Sequence, residues 1–137
     1  MDERLGKAYK LCSKKVIEEV FSTGEKIKQY PFVLQYKYTS LPSEKQFQIV
    51  TSVPKRLHKK AVARNRIKRL MREVVRKKKY IIEENFPQES KQLALFLIYT
   101  GKKEENYSLL LDKIEVLFER LMKLDKELKD ENKRNQD

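Results

Sequence analysis

The sequence predicts an α+β fold in which helices cover a small mixed β-sheet. Residues 32–38 place a large apolar side chain at every second position, as a half-buried strand does. Residues 63–74 instead carry apolar side chains at helical spacing. Residues 93–99 form a continuous apolar run of strand length, which is typical of a central strand buried on both faces. The predicted order of elements is helix, strand, strand, helix, strand, helix.

The length and composition of the chain predict one domain over residues 1–137. Hydrophobic residues make up 39% and charged residues 38%, which is enough for one core. Cys12 is the one cysteine, so no intramolecular disulfide can form, which suits a reducing compartment. There is no apolar signal segment and no run of about 20 apolar residues to span a membrane. We therefore expect a cytoplasmic protein that makes no membrane contact.

The first half of the chain is predicted to contain a helix and a β-hairpin. Residues 1–12 are polar and are expected to form an extension on the surface. Ser13 is a candidate N-cap for the first helix, and Gly24 closes that helix. Pro31 begins the first strand, and a polar connection leads to a second strand at residues 46–53. Because the connection is short, the two strands are expected to pair as an antiparallel hairpin.

The second half is predicted to contain a basic helix, the central strand and a last helix. The basic helix starts near residue 60 and continues to about residue 84. The last helix starts near Asn106, and from residue 126 the chain is nearly all polar and is expected to fray. The apolar stripe of the basic helix comprises Ala63, Ile67, Leu70, Met71 and Val74, and that of the last helix comprises Leu110, Ile114, Leu117, Leu121 and Leu124, with Phe118 beside it.

The net charge of the chain lies in residues 55–79. This stretch contains 13 Lys or Arg and one acidic residue, Glu73, so it carries +12, which equals the net charge of the whole chain. Because a face of one sign repels itself, it indicates an anionic partner rather than a solvated surface, which normally mixes signs. The side chains opposite the apolar stripe are Asn65, Lys68, Arg69, Arg72 and Arg76, flanked by Arg64 and Arg66.

The sequence contains no self-sufficient active site. His58 is the one histidine, and a lone loop histidine is more often solvated or a phosphate contact than a general base. There is no His/Cys cluster to bind a transition metal, and Cys12 is expected to be inert. Binding is favoured instead, since Arg presents a planar fork to phosphate and Lys presents a point charge.

Residues 64–70, RNRIKRL, resemble the RNR signature of the protein subunit of bacterial ribonuclease P. Residues 53–56 (VPKR) and 20–24 (VFSTG) are similar to the same family and fall in the right order. The resemblance covers roughly residues 9 to 125. It implies the element order predicted above, with the basic helix in a left-handed βαβ crossover like that of a ribosomal-protein domain. The sequence alone does not define this handedness, which runs against the usual right-handed rule.

The resemblance implies the protein cofactor of a catalytic RNA. In this family the RNA subunit uses bound Mg²⁺ to cut one phosphodiester of precursor tRNA, so the protein needs no catalytic residue and no metal site. One protein is expected per ribonuclease P RNA. The implied RNA-binding residues are Lys55, Arg56, Lys60, Arg64, Asn65, Arg66, Lys68, Arg69 and Arg72. The implied contacts to the 5′ leader, in a cleft between the first helix and the sheet, are Phe21, Ile17, Gln35, Tyr36 and Lys37.

Two details of the leader cleft stay open. Phe21 either stacks on a base or belongs to the core. A cleft aromatic that the resemblance implies in the first strand aligns with Gln35, and Tyr36 is its neighbour. Strand parity puts Gln35 and Lys37 in the cleft and Tyr36 in the core, unless a bulge turns Tyr36 over.

Two functions of different classes also stay open. The first is the protein subunit of a ribonucleoprotein endonuclease that removes the 5′ leader of precursor tRNA. The second is a non-enzymatic RNA-binding module of ribosomal-protein type. A DNA-binding function is disfavoured, since no helix with a tight glycine turn precedes the basic helix as a helix-turn-helix requires.

Overall fold

A four-stranded sheet with helices on its two faces forms the fold. The computed structural model describes residues 5–86 and 92–135. The helices are α1 (Lys14–Thr23), α2 (Ala61–Lys78), α3 (Tyr80–Asn85) and α4 (Tyr107–Asn135), and a short 3-10 turn spans Lys7–Tyr9. The strands are β1 (Glu25–Gln29), β2 (Phe32–Thr39), β3 (Phe47–Ser52) and β4 (Gln92–Tyr99), in the sheet order β1-β2-β4-β3. The predicted α+β class with a mixed sheet is confirmed.

The strand β4 lies in the centre of the sheet, as its apolar run predicted. It pairs antiparallel with β2 and parallel with β3. The predicted hairpin between β2 and β3 is therefore wrong, because β4 lies between them. Both faces of a central strand are buried, so the most continuously apolar strand takes the centre. The chain passes from β3 to β4 through α2 and α3, and the left-handed sense of this crossover stays a prediction.

The sequence analysis missed the edge strand β1. Its side chains alternate as Glu-Lys-Ile-Lys-Gln, and only Ile27 among them is buried. β1 pairs antiparallel with β2 through a turn in which the peptide bond between Tyr30 and Pro31 is cis. An edge strand with one core residue leaves almost no apolar periodicity in the sequence.

The helix α1 has the predicted bounds. The Ser13 hydroxyl accepts a hydrogen bond from the backbone N–H of Val16 at 3.3 Å, which confirms the N-cap. At the other end, Gly24 lets the helix approach β2 closely. A Cβ at this position would lie 2.4 Å from the Val20 carbonyl oxygen and 2.9 Å from that of Tyr36. Glycine therefore permits α1 to pack directly on the sheet.

The basic helix is divided at Lys79 into α2 and α3, where a continuous helix was predicted. Its core stripe is otherwise close to the prediction: Ile67, Met71 and Val74 are buried, and Val75 joins them. The Lys79 side chain is 2% exposed and donates to the Glu83 carboxylate at 2.9 Å. The division thus coincides with a buried cation that has a specific partner.

Residues 5–12 and 126–135 have more regular structure than the sequence predicted. Tyr9 and Leu11 are buried, so residues 5–12 are not a purely superficial extension. The helix α4 continues through Asn135, so residues 126–135 are helical rather than frayed. The predicted stripe of α4 is buried except for Leu124, which is 41% exposed. Residues 1–4, 87–91 and 136–137 lie outside the described part of the chain.

Candidate nucleic-acid interface

The outer face of α2 presents the predicted row of basic side chains. We call this row, with the loop that precedes it, the basic face. Its members are Lys55, Arg56, Lys59, Lys60, Arg64, Asn65, Arg66, Lys68, Arg69 and Arg72. All are exposed except Arg64 and Lys68, which are half-buried. The opposite side of α2 is packed in the core, so this face is held rigidly toward solvent.

Two arginines of the basic face have partners within the protein. The Arg64 Nη1 donates to the carbonyl oxygens of His58 and Lys59 at 3.0 and 2.8 Å, so part of its guanidinium holds the preceding loop. The Arg66 Nε donates at 2.7 Å to the carboxylate of Glu104, which lies in the loop between β4 and α4. Arg64 has nitrogens left for an external phosphate, whereas Arg66 must share its guanidinium with Glu104.

His58 is a structural side chain rather than a solvated one. It is 8% exposed, and its Nε2–H donates to the Gly101 carbonyl oxygen at 2.7 Å. The Tyr99 hydroxyl donates to the Lys103 carbonyl oxygen at 2.6 Å and accepts from the Glu105 N–H. The His58 bond ties the loop before α2 to the loop after β4, and the Tyr99 bonds fold the latter loop back onto the end of β4. The expectation of a solvated or phosphate-contacting histidine was wrong because a carbonyl acceptor lies within reach across the fold.

The electrostatics of the basic face stay single-signed in the folded protein. The first turn of α2 contains no acidic residue, and its N-cap, Lys60, makes no side-chain cap to the helix among the described residues. The N–H groups at such a helix start favour anions. Glu73 is held by Arg76, whose Nε donates to it at 3.0 Å. This hydrogen bond lowers the pKa of Glu73, which favours the ionised carboxylate in its pair with Arg76.

A second surface lies where α1 covers only part of the sheet. The helix packs on β2 and β4, and we call the surface beside it, which includes the exposed Phe21, the cleft. Phe21 is 65% exposed, and its ring centroid lies 6.3 Å from that of Phe96 on β4. Ile17 is half-buried and packs nearby in the same apolar cluster as Phe96. Phe21 is therefore not an ordinary core residue.

The strand β2 directs alternate side chains, Gln35 and Lys37, toward the sheet face that α1 partly covers. Gln35 is 2% exposed on this face, and its Oε1 has no hydrogen-bond partner among the described residues. The Lys37 ammonium donates to the Thr23 hydroxyl at 2.9 Å and lies 3.9 Å from the Glu19 carboxylate. Tyr36 lies on the other side of the sheet in the main core. Tyr36 is therefore removed from the predicted leader-binding residues. The register of β2 with β4 is continuous through Tyr36, so no bulge turns its side chain toward the cleft.

Phe96 is the cleft residue that the sequence analysis missed. It is the register partner of Gln35, so the two side chains stand next to each other across β2 and β4. In the sequence, Phe96 belongs to an apolar run that predicts burial on both faces. Because every residue of the run is apolar, the sequence does not show that Phe96 shares one face with Ala94 and Ile98. The signal that could have identified it is the length of α1, which at 10 residues is too short to cover the whole sheet face.

The described residues do not offer a metal site. No group of three or more His, Cys, Asp or Glu side chains among them could hold a metal ion. In the same described part of the chain, no helix is long and apolar enough to cross a membrane.

The fold and the basic face define the class of the protein: a small α+β protein that presents a row of basic side chains on one helix face. Its sequence matches the family model described as Ribonuclease P over residues 5–122. It is 35% identical over 103 residues to the ribonuclease P protein component of Lactobacillus helveticus, covering 75% of this chain and 76% of that protein. A ribonuclease P protein component from Porphyromonas gingivalis is 32% identical over 80 residues, 58% of each chain. The chain therefore belongs to the ribonuclease P family, as a protein component.

Solved structures of the same kind share the fold. The ribonuclease P protein of Staphylococcus aureus superposes with a TM-score of 0.63 at 21% identity, covering 84% of this chain and 96% of that one. The protein from Thermotoga maritima gives a TM-score of 0.64 at 20% identity, covering 81% and 96%. The resemblance inferred from the RNR motif is thus confirmed, and so is the fold class.

Proposed function

We propose that this chain docks on ribonuclease P RNA through the basic face and holds the 5′ leader of precursor tRNA in the cleft. The observation that carries the proposal is the separation of the two surfaces. One is single-signed and suits a folded phosphate backbone. The other combines the exposed ring of Phe21 with Phe96 and suits unstacked bases. Removal of the tRNA 5′ leader is the role of the family to which the chain belongs.

Each surface contributes a different kind of interaction. The guanidinium groups of Arg69 and Arg72 can bind phosphate oxygens as planar forks. Phe21 can stack on a base without reading its identity. Gln35 can accept a hydrogen bond from a base once the side chains above it move, since its Oε1 has no partner among the described residues. Lys37 is tied to α1, and a leader phosphate must compete with Glu19 for its ammonium.

The proposal assigns catalysis to the RNA subunit. The described part of the chain brings no group of three or more His, Cys, Asp or Glu side chains together, and we assign Mg²⁺ mainly to the RNA. The protein orients the substrate and neutralises phosphate charge where the two RNAs meet. We further propose one protein per RNA and a cytoplasmic location, where precursor tRNA is processed. The alternative of a ribosomal-type binding module is not favoured by the family match.

The test is reconstitution with a ribonuclease P RNA. We expect the RNA-free protein to leave precursor tRNA uncut, and the complex to process it at lower salt and Mg²⁺ than the RNA needs alone. Specific cleavage by RNA-free protein would overturn the assignment of catalysis. Copurification of one dominant structured RNA whose complex cuts precursor tRNA would separate this function from that of a ribosomal-type module.

A further inference from the structure

The residues before α1 form one wall of a groove that borders the basic face. We call residues 5–10 the N-terminal strap. The groove has a volume of about 870 Å³ and lies between the strap, β3 and α2. Its α2 wall consists of residues of the outer face of the helix, including Asn65, Lys68, Arg69, Arg72 and Arg76. The strap thus faces the side chains that define the basic face.

The strap is attached to the free edge of the sheet. β3 is an edge strand, and Lys10 pairs with Ile49 in parallel orientation. The Leu11 N–H donates to the Ile49 carbonyl oxygen at 3.0 Å. The Gln48 side chain donates to the Ala8 carbonyl oxygen at 3.1 Å. These hydrogen bonds fix the strap to β3, which forms the groove together with α2.

Tyr9 anchors the strap at its centre. Its ring is 5% exposed and lies 5.2 Å from the Phe47 ring, centroid to centroid. Its hydroxyl donates to the Glu83 carboxylate at 3.1 Å, and the Lys79 ammonium lies 4.6 Å from its ring centroid. A cation over a tyrosine face is attractive, more so when both are buried. The strap is therefore fixed to the point where α2 gives way to α3.

The charges of the two walls have the same sign. Lys7 and Lys10 are exposed and line the strap side of the groove. The described lining residues include six Lys or Arg and one acidic residue, Glu73, which is paired with Arg76. Because Arg76 is paired with Glu73, the other five cations dominate the charge of the groove, and they repel each other unless an anion lies between them.

We propose that the N-terminal strap is the second wall of the RNA-binding site, with Lys7 and Lys10 contacting phosphates of a strand that lies in the groove opposite Arg69 and Arg72. The proposal rests on the proposed function and names the RNA subunit as the occupant. The groove is continuous with the basic face, so the same polyanion can extend across both. Tyr9 is a positioning residue that holds the two lysines in place and does not touch the RNA.

The first test compares two double variants with equal loss of charge. We expect Lys7→Ala with Lys10→Ala to reduce the slope of log affinity against log salt for the RNA subunit by about 1.4 to 1.8, since each phosphate contact contributes roughly 0.7 to 0.9. The control is Lys123→Ala with Lys126→Ala, at exposed positions of α4 far along the chain from the groove. The control should leave the slope unchanged. An equal effect of both variants would show that net charge alone matters and would overturn the proposal.

The second test asks whether Tyr9 acts through the lysines. Tyr9→Phe removes the hydrogen bond to Glu83 but keeps the buried ring. We expect it to lower the salt slope in the parent chain and to have no further effect when Lys7 and Lys10 are already alanine. A purely structural role would change thermal stability equally in both backgrounds without changing the slope. That result would overturn the positioning role of Tyr9.

A third pair of measurements separates this inference from the proposed function. Arg69→Ala with Arg72→Ala should weaken binding to the RNA subunit if the basic face docks there. If this variant weakens binding and the Lys7/Lys10 variant does not, the strap proposal fails and the function stands. If neither weakens binding, the docking surface itself is wrong. An effect of the lysine variant confined to precursor tRNA, with unchanged binding to the RNA subunit, would overturn the choice of occupant.

Discussion

Gln35 and Phe96 are direct partners in the register of β2 and β4 and stand side by side on the sheet face that α1 partly covers. The resemblance to the family implies an aromatic side chain at the position of Gln35. In this chain the neighbouring strand supplies the ring instead, one strand spacing of about 4.8 Å away. The cleft therefore has an aromatic ring next to Phe21, provided by β4, although β2 carries Gln35 where the family resemblance implies an aromatic residue.

The position of the Phe96 ring next to Phe21 predicts that Phe96 contributes to binding of the leader. Phe96→Leu keeps an apolar side chain of similar size but removes the ring. We expect weaker binding of leader-bearing precursor tRNA by roughly 5- to 160-fold, since one base stacked on an aromatic side chain is worth about 1–3 kcal/mol. Phe96→Tyr, which restores a ring, should bind normally. Equal losses on substrates with and without a leader would contradict the prediction.

The parity of β2 predicts opposite phenotypes for two neighbouring residues. Gln35→Ala should weaken binding of leader-bearing precursor tRNA only, because Gln35 stands beside Phe96 on the α1 side of the sheet and Tyr36 lies in the main core on the other side. Tyr36→Ala should mainly lower the thermal unfolding midpoint, since it removes a buried aromatic side chain. The measurements are substrate affinity of the reconstituted enzyme, with and without a leader of several nucleotides, and thermal unfolding of each variant. A leader-specific defect in Tyr36→Ala would contradict this assignment of faces.

The ion pair between Arg66 and Glu104 predicts a variant that binds RNA more tightly. An RNA phosphate must compete with the carboxylate for the Arg66 guanidinium, whose Nε lies 2.7 Å from it. Glu104→Gln weakens that competitor, and partly exposed ion pairs are worth about 0–1 kcal/mol. We therefore expect a gain in affinity for the RNA subunit of up to roughly fivefold.

Two controls test whether the gain passes through Arg66. Glu119→Gln makes the same charge change at an exposed position of α4 and should have a smaller effect. In an Arg66→Ala background, Glu104→Gln should give no more than that control. Weaker RNA binding by the single Glu104→Gln variant would show that the pair positions Arg66 rather than competing for it.

The basic helix and the central strand could be predicted because each leaves a strong periodic pattern. β1 could not, since Ile27 is its one buried residue and its neighbours are charged. β2 pairs with β4 because burying the apolar β4 in the centre of the sheet brings together strands that are far apart in the sequence. The short connection between β2 and β3 had instead predicted that these two strands pair. Tyr9 and Phe96 were missed for opposite reasons. Tyr9 is a single aromatic residue in a polar segment, whereas Phe96 lies within a run of apolar residues.

The hydrogen bond between the half-buried Tyr38 and the buried Asp125 predicts loss of stability at alkaline pH. The Tyr38 hydroxyl donates to the Asp125 carboxylate at 2.8 Å. Burial, followed by this hydrogen bond, raises the pKa of Tyr38 well above its usual value of 10.0. A group whose pKa is raised by folding stabilises the protein below its unfolded pKa, and this contribution is lost as the pH rises toward the folded pKa. The unfolding midpoint should therefore fall from about pH 10 upward.

The variant Tyr38→Phe tests this assignment, because it removes the titrating hydroxyl and keeps the ring. Burial also raises the pKa of Tyr36 and Tyr99, so the alkaline loss should become shallower in the variant without disappearing. Tyr30→Phe, at a tyrosine that is 59% exposed, provides the matched control and should leave the slope as it is. Thermal unfolding of the three proteins at intervals from pH 8 to 11.5 measures the effect. Tyr38→Phe and the parent could instead lose stability in parallel above pH 10. The folded and unfolded chains would then release the Tyr38 proton over the same pH range. That result would show that the hydrogen bond to Asp125 does not control the loss of stability at alkaline pH.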